Sequence, residues 1–426
     1  MLSKIDVKDL IYRNRELFFK KEDYIKRDID FKKKINSSMI TIIAGIRRCG
    51  KSVLLKLIKD YLLSKKLIIK ENCYYLNFND PFLSNINIKD IFEIFTTYFD
   101  EFPSKKKLIF IDEVQEIKDW HKLVLNFFDS GYKVIITGSN GNLLSKDIAT
   151  YLTGRNNIIN LFPFSFLEFL KLKKINYKNE INKLSSRASL KYIKLFKEYL
   201  QKGGFPLILK EDNIEILADY YENILNKDVI VRNSIHNSKE LKELAFFLIS
   251  NSAKIQSYNS LKKIINIKST STIKEYLDYL ISAFIIFNVD KFDYSIKKQI
   301  YNSKKFYVID SGFINYVSFS FSKNIGRLLE NIVFLELKRN AQEVFYYSNS
   351  GECDFLIRKN HKIISAIQVC YDFNNQSKQR EIQGLLIAMK TYSLKKGYIL
   401  TYDKEDVLII NNKKIFLVPV WKWLLK

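Results

Sequence analysis

Cysteine and histidine are scarce in this sequence, four and three residues in a chain of 426. Cys49, Cys73, Cys353 and Cys370 show no paired spacing, so neither a disulfide framework nor a structural zinc site is expected. His121, His236 and His361 are equally scattered. No apolar run reaches the roughly 18 residues that a membrane-spanning helix needs. The first residues, Met1 to Val7, lack the apolar core of a signal peptide. The expectation is a cytoplasmic protein with no membrane partner.

What is abundant is apolar and basic. A hydrophobic content of 47% with 14% aromatics is ample for globular folding, and 426 residues suggest two or three domains. The net charge of +24 fits a nucleic-acid partner, because a basic surface attracts phosphate and releases counterions. Lys, Asn, Ile, Tyr and Phe are abundant together, however, as an A/T-rich coding sequence would make them. The lysines are spread along the chain with no dense tail. Charge alone therefore leaves a DNA partner open.

Residues 45–52 read Gly45-Ile46-Arg47-Arg48-Cys49-Gly50-Lys51-Ser52, between a β-type run (Met39 to Ala44) and a helical one (Val53 to Leu63). Glycines there let successive backbone N–H groups turn toward an anion, and the following helix adds the positive end of its dipole. This is a phosphate-binding loop. Lys51 is placed to reach the β- and γ-phosphates, and Ser52 to hold Mg²⁺. Arg47 and Arg48 belong to the same loop, either touching phosphate or sealing a neighbouring acid.

A second element supports the first. Leu108-Ile109-Phe110-Ile111 ends in Asp112 and Glu113, as a buried parallel strand does when it delivers carboxylates at its C-terminal end. Asp112 is expected to orient Mg²⁺ and Glu113 to polarise an attacking water, which favours hydrolysis over nucleotide storage. A further apolar run, Lys133 to Gly138, ends in Ser139 and Asn140, of which Asn140 is the expected sensor. Arg155, after Leu152-Thr153-Gly154, is the candidate for stabilising transition-state charge, within the subunit or across a subunit interface. No Asn-Lys-x-Asp guanine-reading segment is present; Asn226-Lys227-Asp228-Val229 misses the spacing. The expected ligands are thus ATP and Mg²⁺.

These motifs, with Phe162-Pro163-Phe164-Ser165-Phe166-Leu167-Glu168-Phe169, Gly203-Gly204-Phe205-Pro206, Lys304 to Gly312 and Val418-Pro419-Val420-Trp421, resemble the prokaryotic AAA-type ATPases that carry an uncharacterised C-terminal domain. The resemblance spans nearly the whole chain. It implies an α/β fold: a P-loop NTPase core of the AAA type with a helical lid, followed by further modules. The expected boundaries are a helical lead-in over 1–36, the core over 37–163 and the lid over 164–235.

Residues 236–320 carry a winged-helix pattern. Ser269 to Thr272 cap a third helix whose positions 273, 276, 277, 280, 281 and 284 share an apolar face, and Phe284 to Tyr294 supply the wing. Glu275 and Asp278 on its outer face repel phosphate, while Lys291, Lys297, Lys298, Lys304 and Lys305 allow backbone contact. Residues 321–426 resemble the core of restriction-type nucleases of the PD-(D/E)xK fold, with Glu330 on a helix, Asp354 on a strand and Gln368-Val369-Cys370 on the next. Gln368 and Cys370 stand where that site needs Glu and Lys. Glu352 or Glu330 can replace a carboxylate, but nothing nearby in sequence replaces the lysine. The domain is expected to be cleavage-inactive.

Three readings remain open at this stage. The leading one is an ATPase whose nucleotide state moves C-terminal DNA- or protein-binding modules, with an oligomer possible. The others are a DNA-binding regulator using ATP as a bound switch, and an ATP-controlled nuclease.

Overall fold

The fold was analysed in a computed structural model, which describes residues 4–83, 86–139, 151–176, 186–318 and 325–425. The chain divides into two compact units, Met1–Leu161 and Phe162–Lys426.

The first unit is built on five strands: β1 (Ile40–Ala44), β2 (Cys73–Asn77), β3 (Leu108–Asp112), β4 (Lys133–Gly138) and β5 (Asn156–Asn160). All pair in parallel, in the order β2-β3-β4-β1-β5. Every residue of β1 and β3 is buried. That burial explains their largely apolar sequences, since helices cover both faces of a parallel sheet. One such helix, Ile88–Glu101, starts from Asn87, whose side chain accepts from the Lys89 and Asp90 N–H groups. It packs Ile94, Phe95 and Tyr98 into the same core as Leu123, Val124 and Phe127. The lead-in is a helix over Lys4–Phe19 that buries Leu10, Ile11, Asn14 and Phe18. Phe18 stacks on Tyr75 of β2 with ring centroids 4.2 Å apart.

The register places the chemistry. Ala44 pairs with Gly138, and Ile111 with Ile136. The C-terminal ends of β1, β3 and β4 therefore lie level, and the residues that follow them meet at one edge, where ligands bind in open α/β sheets.

The second unit carries a mixed sheet formed by β6 (Ile255–Gln256), β7 (Ile286–Lys291), β8 (Lys304–Val308), β9 (Glu343–Ser348), β10 (Glu352–Lys359), β11 (Lys362–Cys370), β12 (Lys396–Thr401), β13 (Asp406–Ile410) and β14 (Lys413–Pro419). Among the described residues their order is β13-β14-β12-β11-β10-β9-β7-β8-β6. Helices Ser238–Ser250, Tyr258–Ile265 and Thr270–Ser282 precede the antiparallel pair β7–β8. The expected apolar face of the third helix is buried at Ile273, Tyr276, Leu277 and Leu280. The connection between β7 and β8 is a short helix, Ile296–Tyr301, rather than a plain hairpin turn. Strand β7 also pairs in parallel with β9. The sheet thus runs on across residue 320, because β7 supplies the edge on which the later strands build.

The motifs without evident chemistry meet in this unit. Phe164 N–H donates to the Gly204 carbonyl at 2.6 Å, and Tyr199 O–H to the Phe164 carbonyl at 2.7 Å. Buried Asp310 accepts from Gly204 N–H at 2.6 Å and Gly312 N–H at 2.8 Å. These segments fasten one another by hydrogen bonds that each engage the backbone of at least one partner. No helix among the described residues is long and apolar enough to cross a membrane.

Candidate functional site

The loop 45–50 leaves β1 and enters the helix Lys51–Ser64. Gly50, which precedes the helix, has φ +100°, a left-handed conformation that a residue with a Cβ adopts only under strain. Arg27 from the lead-in donates to the Cys49 carbonyl at 2.9 Å and so braces the loop from outside. Arg48 has φ +70° and an exposed side chain, whereas Arg47 is half-buried.

Lys51 lies deep in this edge, with its side chain 3% exposed. Its ammonium donates to Ser139 Oγ at 2.7 Å and to the Ile46 carbonyl at 3.3 Å, and it lies 3.3 Å from Glu113 Oε1. Ser139 O–H in turn donates to Glu113 Oε2 at 2.8 Å. Lysine, serine and glutamate thus form a closed triangle contributed by the start of the helix Lys51–Ser64 and by the residues that follow β4 and β3. Burial alone would push the Glu113 carboxyl up. The nearby Lys51 ammonium, with hydrogen bonds from Gln115 and Ser139, outweighs it and brings the pKa down to about 2. Glu113 is therefore a carboxylate at neutral pH.

Asp112 is held from three sides. Thr137 O–H donates to Oδ1, Tyr75 O–H donates to Oδ2 at 3.2 Å, and Ser52 hydrogen-bonds to the same carboxylate. Burial and the neighbouring Glu113 charge raise its pKa, while the hydroxyls of Ser52 and Thr137 act against that rise. Thr137 also accepts the Glu113 N–H at 2.9 Å, so one hydroxyl positions both acids. Glu113 itself adopts φ +55°, ψ +53°. This turn of the backbone separates the directions of two adjacent carboxylates.

A Ser52 hydroxyl beside the Asp112 carboxylate is a hard-oxygen pair of the kind Mg²⁺ accepts together with substrate phosphates. Among the described residues no three His, Cys, Asp or Glu side chains converge as a ready metal cage. Such a cage is not what a phosphate-bound Mg²⁺ requires.

The other expected site residues divide. Asn140 lies outside the described residues. Arg155 is not brought to the loop: its carbonyl accepts from Ile40 N–H, at the start of β1, and its guanidinium pairs with Asp129 at 3.3 Å. That is the N-terminal edge of the sheet, opposite the loop. A role for Arg155 in its own subunit's site is thereby corrected, since the length of β1 stands between them. Thr137, Tyr75 and Gln115 were missed. The threonine had a signal, as a polar residue one step before the end of an otherwise apolar strand.

In the second unit the nuclease-like residues are also placed. Gln368 Oε1 accepts from Asp354 N–H at 3.1 Å, and its amide donates to buried Glu381. Cys370 is buried. Lys304 and Lys305, expected to be available to a nucleic-acid backbone, are 4% and 2% exposed. They face inward because alternate ladder positions of β8 are both covered, so that expectation is corrected. Lys304 pairs with Asp290 at 2.6 Å, and Lys305 reaches Glu330, Glu352 and Asp354.

Comparison with known proteins agrees with the first unit's geometry. A family model described as an AAA domain matches residues 37–170, and two domains of unknown function (DUF8612 and DUF4143) match 193–324 and 325–423. The chain is 38% identical to the uncharacterized protein MJ1544 of Methanocaldococcus jannaschii, covering 99% of this chain and 95% of that one. It is 31% identical to an uncharacterized protein of Haemophilus influenzae, over 94% and 98% of the two chains. A solved structure of the Aeropyrum pernix ORC1 protein in complex with DNA overlaps 74% of this chain and 98% of its own, at 10% identity and a TM-score of 0.31. That overlap is too slight to bear on function. The relatives match along nearly their whole length, and the chain belongs to their family, here an AAA domain joined to C-terminal domains of unknown function.

Proposed function

We propose that this chain binds ATP with Mg²⁺ at the loop 45–52 and hydrolyses it, using the nucleotide cycle to move its C-terminal modules. The observation that carries the reading is the Lys51–Ser139–Glu113 triangle beside Asp112. The backbone N–H groups of Gly45 to Ser52 cradle the phosphates, and Lys51 turns from Glu113 toward them. Ser52 and Asp112 would hold Mg²⁺, which would offset phosphate charge. Released from Lys51 but still oriented by Ser139 and Gln115, Glu113 accepts a hydrogen bond from the attacking water and takes its proton. Ser139, already in the triangle, and Asn140 after it sense the γ-phosphate. Arg155, exposed at the far edge, serves a neighbouring subunit.

The order helix, strand, helix, helix, strand pair over 238–308 supports a winged-helix reading of that region. Helix, three-strand meander, helix and parallel strand over 325–401 support a nuclease-like one. DNA is the partner favoured by one observation: Tyr294 and Tyr301, 82% and 78% exposed, flank Lys297 and Lys298 on the β7–β8 connection. Aromatic faces beside ammonium groups suit stacked bases and phosphate.

Phosphate release from MgATP by wild type and Glu113→Gln, each with and without duplex DNA, tests the reading. Turnover that falls about 100-fold or more in the variant supports it, the range general-base catalysis contributes. Tight ATP binding without turnover under any condition would favour the bound-switch alternative.

A further inference from the structure

Among the described residues outside the nucleotide site, several acidic side chains surround buried Lys305 of β8. Its Nζ lies 2.9 Å from Asp354 Oδ1 on β10, 3.1 Å from Glu330 Oε1 on the helix Ile325–Arg339, and 3.1 Å from Glu352 Oε1 at the start of β10. The ammonium donates hydrogen bonds to Glu330 and Asp354 and forms an ion pair with Glu352. The lysine side chain is 2% exposed, and Glu352, 53% exposed, forms the outer wall. We propose that Lys305 is a resident cation standing where a divalent metal would stand among Glu330, Glu352 and Asp354, so that the native chain holds no hydrolytic metal there.

The remaining bonds fit a filled site. The second oxygen of Asp354 accepts from Val369 N–H at 2.9 Å. Glu330 Oε1 also accepts the Tyr307 O–H at 2.7 Å. Gln368, the residue in the place of a metal-binding glutamate, spends its carbonyl on the Asp354 N–H and its amide on Glu381. A divalent ion would need these oxygens at about 2.0–2.6 Å, well inside the distances to Nζ, and would meet a fixed positive charge on arrival. Electrostatics point the same way. Burial opposes the Lys305 charge, but Asp354, Glu330 and Glu352 outweigh it and raise its pKa well above the ordinary lysine value.

The lysine that is missing beside Cys370 is therefore present in space, but placed as a counter-ion. This inference is independent of the ATPase reading, because its residues lie in the other unit. The test titrates Mn²⁺ into the nucleotide-free full chain as wild type, Asp354→Asn, Lys305→Ala and Lys305→Ala/Asp354→Asn, by calorimetry and thermal melting. Wild type is expected to show no Mn²⁺ site that depends on Asp354. Lys305→Ala is expected to gain one, with a melting midpoint that rises on adding Mn²⁺ and does not rise in the double variant. If Lys305→Ala is unfolded without metal, its refolding by Mn²⁺ becomes the readout. If Mn²⁺ does not refold it, Lys305→Met, which keeps the volume, replaces it. An Asp354-dependent Mn²⁺ site in wild type, with Asp354-dependent nicking of plasmid DNA, would overturn the proposal and make Lys305 a partner of the metal. A folded Lys305 variant that gains no Mn²⁺ site would overturn it too.

Discussion

Lys51, at the start of the helix that follows β1, and Glu113, just past the end of β3, face each other at 3.3 Å although β4 lies between those two strands in the sheet. Ser139 at the end of β4 closes the gap by accepting from one and donating to the other. The Lys51 ammonium and the Ser139 hydroxyl thus hold the Glu113 carboxyl in its charged form.

Removing that cation changes the pH dependence of stability. Glu113 has a folded pKa of about 2 against an ordinary 4.5. Its contribution is therefore fully present above about pH 4.5 and lost as pH falls toward 2. The shift corresponds to on the order of 3 kcal/mol at neutral pH. Lys51→Met is expected to lose ATP binding and to be less stable than wild type at pH 7. The gap should narrow as pH falls through that window. Denaturant midpoints of both proteins from pH 7 to pH 2.5 check this, and a gap that stays constant would contradict it.

Thr137 gives a sharper test of positioning. Its hydroxyl donates to Asp112 and accepts the Glu113 N–H. Thr137→Val keeps the shape and leaves a buried N–H and a carboxylate oxygen without that partner, at a cost of about 1–3 kcal/mol. The expected outcome is a lower kcat for phosphate release with ATP affinity changed much less. Equal loss of both would mean that the threonine supports the loop rather than the acids.

What was legible in advance follows from range. The loop 45–52 and the strand ending in Asp112 and Glu113 are local patterns, and a fully buried parallel strand announces itself by its apolar run. The helix Thr270–Ser282 shows for the same reason, through the spacing of Ile273, Tyr276, Leu277 and Leu280. Lys305 did not show, because its partner Asp354 is 49 residues away and the alternation of β8 does not reveal that both faces are covered. Arg155 was read by motif order alone. Which edge of the sheet it occupies depends on the register of β5 against β1.

That placement makes the arginine testable. Its side chain is 49% exposed and its partner Asp129 61%, so the pair adds little to stability once solvent screening is counted. Arg155→Ala is expected to melt within about 2 °C of wild type, in keeping with surface changes of about 0.5 kcal/mol or less. If the residue acts across an interface, Arg155→Ala alone and Glu113→Gln alone are both inactive. Mixed, they recover turnover, because an intact Glu113 can meet an intact Arg155 from the other variant. Turnover that stays absent in the mixture, or is undiminished in Arg155→Ala, would remove the arginine from the site.

The anchor in the second unit carries its own pH signature. Burial pushes Asp310 up to about 7, although the N–H groups of Gly204 and Gly312 act in the opposite direction. A carboxyl whose folded pKa is raised contributes stability that is fully present below its ordinary value near 3.8 and is lost as pH rises through about 7. Asp310→Asn cannot ionise and keeps one acceptor oxygen for the two N–H groups. It is expected to be less stable than wild type at pH 5, with the difference shrinking toward pH 8. Gly203 reports on the same contact without titrating. At φ +76°, a Cβ added there would lie 1.8 Å from Asp310 Oδ1. Gly203→Ala is therefore expected to destabilise the unit at every pH by more than about 1 kcal/mol, through strain and displacement of the anchor. Thermal melts of both variants between pH 5 and pH 8 separate the two effects. A pH-independent gap for Asp310→Asn would place the Asp310 titration outside this range.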